Sequence, residues 1–215
     1  MKKLSILAFI SLLITSCTVT IPMQTNLSDQ TMLLAENRNI KANYTLTSNV
    51  PDGFIQYVSV LKNGNESYSN ESYKYASTSA FNKLWESYFS SKFNSYSKEI
   101  MDIEISLLEL KLREQASTSI GFTVLTGNSK VNVDAIAKVK AVISYHGEKY
   151  ETQFEVNASD YNESQQMQAG NYSYTINQNN PTQQKSQLLD NCLNRSIIQF
   201  ENFLRSVMLA DMENK

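Results

Sequence analysis

A chain of 215 residues is long enough for one domain with a real core, and 19 basic against 21 acidic side chains leave no electrostatic footprint for nucleic acid. With a single histidine and two cysteines it has no zinc-spaced Cys/His set. Asn, Ser and Tyr are abundant while Pro, Gly and His are scarce, so the Asn-x-Ser/Thr triplets at Asn65, Asn70 and Asn171 follow from composition.

The N-terminus carries the strongest signal. Lys2 and Lys3 form a short positive region, and Leu4 to Ile14 an apolar run of about eleven residues, the pattern of a secretory signal. A membrane-spanning helix needs about 20 apolar residues, so this run is too short to be a stable anchor by itself. Directly behind it stands Ile14-Thr15-Ser16-Cys17, an aliphatic residue, two small ones and a cysteine. That tetrapeptide resembles the lipobox of bacterial lipoproteins. The resemblance implies diacylglyceryl attachment to the Cys17 sulfur, cleavage after Ser16, and acylation of the new amine. It makes Cys17 a membrane anchor rather than a disulfide partner or nucleophile, and makes glycosylation of the asparagines an unsuitable reading. Thr18, where an aspartate is associated with inner-membrane retention, implies the outer membrane with the domain facing the periplasm. Loss of residues 1–16 takes Lys2 and Lys3 with it and leaves 17 basic against 21 acidic residues; Cys192 is then the only free thiol.

After Cys17, residues 18–39 are polar, interrupted by Pro22, with one weak apolar cluster at Met32-Leu33-Leu34. The stretch reads as a tether; a coil of about 22 residues spans roughly 26 Å. Alternation at Ile40, Ala42, Tyr44 and Leu46 predicts a strand, Pro51-Asp52-Gly53 a turn, and Phe54 to Leu61 a second strand. In residues 63–73, NGNESYSNESY, Asn-Glu-Ser-Tyr occurs twice; it reads as a polar loop or hairpin arm, although Asn, Glu and Tyr are also glycan-binding vocabulary. A helix follows. Ser77, Thr78 or Ser79 is positioned to cap it, and Phe81, Leu84, Trp85, Tyr88, Phe89 and Phe93 recur at three and four, a stripe for packing on a sheet.

Strands come next. Leu108, Leu110 and Leu112 alternate with Glu109, Lys111 and Arg113, and Ile120, Phe122 and Val124 continue the pattern. Val131 to Tyr145 make the longest alternation, and Gly147-Glu148 turns it into Tyr150, Thr152, Phe154 and Val156, an antiparallel hairpin whose small residues invite a helix. Residues 157–180 are polar and hold Gly170, Tyr172 and Tyr174. The chain closes with a helix that Asn180 caps and Pro181 starts, apolar along Leu189, Cys192, Leu193, Ile197, Phe200, Leu204, Val207 and Met208. The expected fold is therefore α+β: an antiparallel sheet of about four to six strands with two amphipathic helices packed on one face. The expected division is a signal peptide (1–16), a lipidated N-terminus and tether (17–39), and a single α+β domain (40–215).

Residues with chemistry are few. His146 falls in the predicted hairpin turn and reads as solvated. Cys192 falls on an apolar stripe and reads as a small buried hydrophobe. Asp102 and Glu104 share a strand face but lack a further ligand cluster, so they read as solvated rather than as a calcium or acid–base site. A phosphate-binding glycine loop and a nucleophile elbow are both missing. Neither a cofactor nor an enzymatic activity is expected.

The element order over roughly residues 40 to 210 resembles small envelope lipoproteins, LptE-like assembly lipoproteins and the auxiliary lipoproteins of envelope ABC transporters. It implies a non-enzymatic accessory or adaptor of an envelope membrane-protein complex. The alternative is a glycan- or lipid-binding module using Tyr68, Tyr73, Tyr172 and Tyr174, which requires those side chains to converge on one concave surface.

Overall fold

The computed structural model describes residues 18–24, 26–60, 66–68, 72–116, 131–159, 166–169, 172–175 and 181–213. Strand β6 (Ile100–Ala116) is the spine of an eight-stranded sheet. Along one edge it pairs antiparallel with β7 (Val131–Tyr145), which pairs antiparallel with β8 (Glu148–Ser159). The turn between these two holds His146 and Gly147 at φ +49° and +88°, the left-handed backbone a two-residue hairpin loop demands.

The other edge of β6 takes two strands end to end. Strand β2 (Lys41–Ser48) runs parallel to residues 100–107, and β3 (Gly53–Val60) runs parallel to residues 111–115. Strands β4 (Glu66–Tyr68) and β5 (Tyr73–Tyr75) pair antiparallel with β3, and β1 (Val19–Thr20) pairs parallel with β5. Strands β9 (Gln166–Ala169) and β10 (Tyr172–Thr175) form a separate two-stranded sheet. The helices are α1 (Asp29–Leu34), α2 (Ser77–Lys92) and α3 (Pro181–Glu213).

The expected sheet is corrected in three respects. It is mixed rather than antiparallel, it has eight strands rather than four to six, and three helices rather than two stand among the described residues. The reason lies in connectivity. An antiparallel neighbour needs only a short turn, but α2 intervenes between β3 and β6, and a helical crossover returns the chain parallel. Pro51-Asp52-Gly53 is accordingly not a hairpin turn. It is a detour between two collinear strands: between the pairs Ser48↔Leu107 and Gln56↔Lys111, residues 49–55 stand against residues 108–110 alone.

At the same level β6 carries a bulge, because its pairing with β7 steps from Leu107↔Val139 to Glu109↔Lys138. The extra residue, Leu108, changes the parity of the strand. Met101, Ile103, Ile105 and Leu107 face the core before it, Leu110 and Leu112 after it, and Leu108 is only half-buried.

The detour also starts α2. Asp52 Oδ1 accepts from the Ser79 backbone N–H (3.1 Å) and Oδ2 from the Ser79 hydroxyl (2.5 Å), so the cap comes from another segment rather than from Ser77, Thr78 or Ser79 themselves. The aromatic stripe of α2 then packs as expected. Trp85 meets Phe200 of α3 edge-on at 5.3 Å, and Phe89 stacks on Tyr44 of β2 at 4.3 Å. Helix α3 lies over β7 and β8, where Ala135, Ala137 and Ala141 leave room; the Cys192 thiol is 3.4 Å from the carbonyls of Ala135 and Val156. That burial pushes the Cys192 thiol up to about 12, so Cys192 is the inert hydrophobe its position suggested.

Candidate functional site

The stretch that reads as a tether is laid along α3. Residues of α3 on one stripe hold it, at spacings of four and seven. Ser186 donates its hydroxyl to the Pro22 carbonyl (2.6 Å), and Asp190 accepts from the Gln24 backbone N–H. Asn194 serves three strap residues: its Oδ1 accepts from the Ser28 backbone (2.8 Å) and the Thr31 hydroxyl (3.0 Å), and its Nδ2 donates to the Asn26 carbonyl (3.3 Å). Arg205 donates to the Leu34 carbonyl (2.7 Å) and pairs with Glu36 (2.8 Å). Between these turns Ile21, Thr31 and Ala35 are buried. Polar composition disguised the strap, because its hydrogen-bonding groups are satisfied by α3 instead of water.

Glu201 is the centre of the fastening. Arg38 forks onto it at 3.0 and 2.7 Å, and Tyr88 of α2 donates to the same carboxylate at 2.5 Å. The side chains of Arg38 and Glu201 are 6% and 1% exposed. Burial works against the Arg38 charge but the Glu201 carboxylate outweighs it, while burial and Glu201 together hold the Tyr88 hydroxyl well above its ordinary range. One turn from the other end of the strap, Asp190 accepts from the Tyr75 hydroxyl at 3.1 Å, and its second oxygen is buried without a partner. Burial raises its carboxyl to about 7 in spite of these donors.

The strap begins in the sheet. Val19 N–H donates to the Ser72 carbonyl (3.2 Å) and Ile21 N–H to that of Lys74 (2.8 Å). Across β1, β5 and β3 two rows of side chains stand in register. Val19, Tyr73 and Ile55 form the inward row; Tyr73 and Ile55 are buried, and the Lys185 ammonium sits 4.8 Å from the Tyr73 ring. Thr20, Lys74 and Phe54 form the outward row. Phe54 is 62% exposed, and the Lys74 ammonium lies 5.1 Å from its ring.

Cys17, the one site residue singled out from the sequence, lies outside the described residues, as does the strand pattern expected at Ile120, Phe122 and Val124. Asp102 and Glu104 are exposed on the outward face of β6, with Asn43 donating to Asp102 at 2.7 Å. His146 is less solitary than its turn position implied. Its Nδ1 is 2.8 Å from Asp211 near the end of α3, its ring stacks on Tyr145 at 3.9 Å, and the Tyr145 hydroxyl donates to Glu99. Its partners stand 65 and 47 positions away in sequence, beyond the reach of local pattern. Among the described residues no group of three or more His, Cys, Asp or Glu is arranged to hold a metal.

The four tyrosines of the glycan reading divide. Tyr68 is 78% exposed beside a hollow of about 230 Å³ on the outward face, floored by Val58, where Lys111 bridges Glu109 (2.9 Å) and Glu66 (3.5 Å). Tyr73 is turned the other way into the core. Tyr172 and Tyr174 pair with Ala169 and Met167 in the β9–β10 ladder.

No family model and no curated protein sequence matches the chain. Among solved structures, a Xanthomonas campestris protein assigned to the family DUF330 superposes with a TM-score of 0.47 at 7% identity, over 91% of this chain and 99% of that one. A second, described as an uncharacterized protein, gives 0.43 at 8% identity over 88% and 99%. Neither score supports an argument about fold or function.

Proposed function

We propose that the chain is a non-enzymatic lipoprotein of the bacterial envelope, anchored through lipid on Cys17 in the outer membrane and facing the periplasm, where it acts as an accessory or adaptor of a membrane-protein complex. The observation that carries this reading is the coincidence of lipobox and fold. Val19, two residues after Cys17, is already a strand residue, so cleavage before Cys17 leaves every described strand of the sheet in place. No helix among the described residues is long and apolar enough to cross a membrane, and two or three acyl chains at Cys17 supply an anchor that does not need one.

For a protein partner, β8 is the suited surface. Its outer edge has no neighbour among the described strands, which leaves backbone groups for an added strand. Lys149, Glu151 and Glu155 are exposed along it, charges of the kind that keep an edge from pairing with its own copies. The test is crosslinking in living cells that make the full-length protein, with Cys17→Ser as control. A defined membrane-protein partner that copurifies only when Cys17 is intact supports the adaptor. Recovery without a protein partner but with glycan or lipid retained refutes it.

A further inference from the structure

We infer that the outward row of the β1–β5–β3 edge, Phe54 with Lys74, rests on the anionic headgroup surface of the protein's own membrane and fixes the domain's orientation there. This rests on lipidation of Cys17. Two residues of chain span at most about 7 Å, so Val19 lies within that distance of the lipidated residue and at headgroup level. With Val19 and Ile21 bonded to β5 and Pro22, Ser28 and Arg38 fastened to α3, little slack is left to lift the domain away. Strands lie about 4.8 Å apart, which places Phe54 of β3 about 10 Å across the edge from β1, beside the anchor.

The chemistry of the row fits that position. An aromatic ring 62% exposed to water is free to enter the acyl boundary, where its burial is favourable. An exposed lysine over the ring supplies the cation that an anionic surface attracts, at about 1 kcal/mol per residue. The neighbouring carboxylate, Asp52, is bonded to Ser79 at the start of α2. Helix α2 starts next to this edge and is about 24 Å long at 1.5 Å per residue, and the exposed Tyr96 follows its far end, which makes it the comparison position away from the anchor.

The experiment attaches an environment-sensitive fluorophore to Phe54→Cys or, separately, to Tyr96→Cys in the full-length protein processed in the envelope. Each protein is placed in vesicles of phosphatidylethanolamine and phosphatidylglycerol, some with a lipid-borne quencher. Both positions are exposed, so folding is spared, and Cys192 is fully buried and does not compete for label. The expected result is blue-shifted, lipid-quenched emission at position 54 and water-like emission at position 96, with Lys74→Glu reducing the quenching at 54. Water-like emission at 54, or equal quenching at both positions, overturns the orientation even where intact mass shows lipid on Cys17. An intact mass without lipid on Cys17 overturns the anchor itself, and the orientation with it.

Discussion

Replacing Arg38 by alanine tests whether the N-terminal strap is part of the fold. The substitution leaves the Glu201 carboxylate, 1% exposed, with the Tyr88 hydroxyl as its remaining donor of the three bonds described. Removing one partner of such a buried pair costs about 3–5 kcal/mol, because the remaining charge has lost both water and its counter-ion. With a urea dependence of about 2 kcal/mol per molar, the unfolding midpoint falls by about 2 M. Limited proteolysis of the same variant should open within residues 26–38, which Arg38 otherwise fastens to α3 and α2. The reasoning has an internal control. Arg38→Met, Glu201→Leu and Tyr88→Phe made together remove every polar group of the cluster and should restore stability to within about 1 kcal/mol of the native chain. A midpoint change below about 0.5 M for Arg38→Ala, with unchanged slope, refutes the claim that this pair holds the strap.

Asp190 makes stability pH-dependent. Its carboxyl is raised from 3.8 in the unfolded chain to about 7, so the native state binds the extra proton; that contribution is whole below 3.8 and lost as pH rises past about 7. Asp190→Asn should therefore be nearly neutral below about pH 3.8, increasingly stabilising as pH rises from there, and stabilising on the order of a few kcal/mol at pH 8.5, read from urea midpoints. Asp52→Ala removes the cap of α2 and should cost about 1 kcal/mol at neutral pH. Asp52 is lowered below 3.8 by its bonds from Ser79, which outweigh its burial, so the penalty is present above 3.8 and fades as pH falls through the lower folded value. Trp85→Ala, in the centre of the aromatic cluster, should cost about 3–5 kcal/mol by thermal or urea unfolding. Cys192 should react with a maleimide only after unfolding, since its thiol is buried and raised to about 12.

Local pattern made several elements legible. The alternation from Val131 to Val156 became β7 and β8, the small residues marked where α3 lies, and the stripe from Leu189 to Val207 became its buried face. What alternation cannot express is direction. Ile55 and Tyr57 declare a strand, but their parallel pairing along β6 is decided by the crossover through α2. The bulge at Leu108 was hidden because Leu107, Leu108, Leu110 and Leu112 satisfy either parity. The strap was hidden for a different reason. Asn26, Ser28 and Thr31 look like solvent-facing residues until Asn194, more than 160 positions away, supplies their partners. Of the site, the sequence motif around Cys17 was readable, whereas Phe54 and Lys74 gained meaning only when β5 brought them beside β1.

Lipidation at Cys17 is tested most directly by mass spectrometry of the N-terminal peptide from protein made in a bacterial envelope. The expected species begins at Cys17 and carries a diacylglyceryl group on sulfur, with an acyl group on its amine. A mature chain that begins elsewhere, or one that keeps an unmodified Cys17, contradicts the anchor and with it the proposed place of this protein in the envelope.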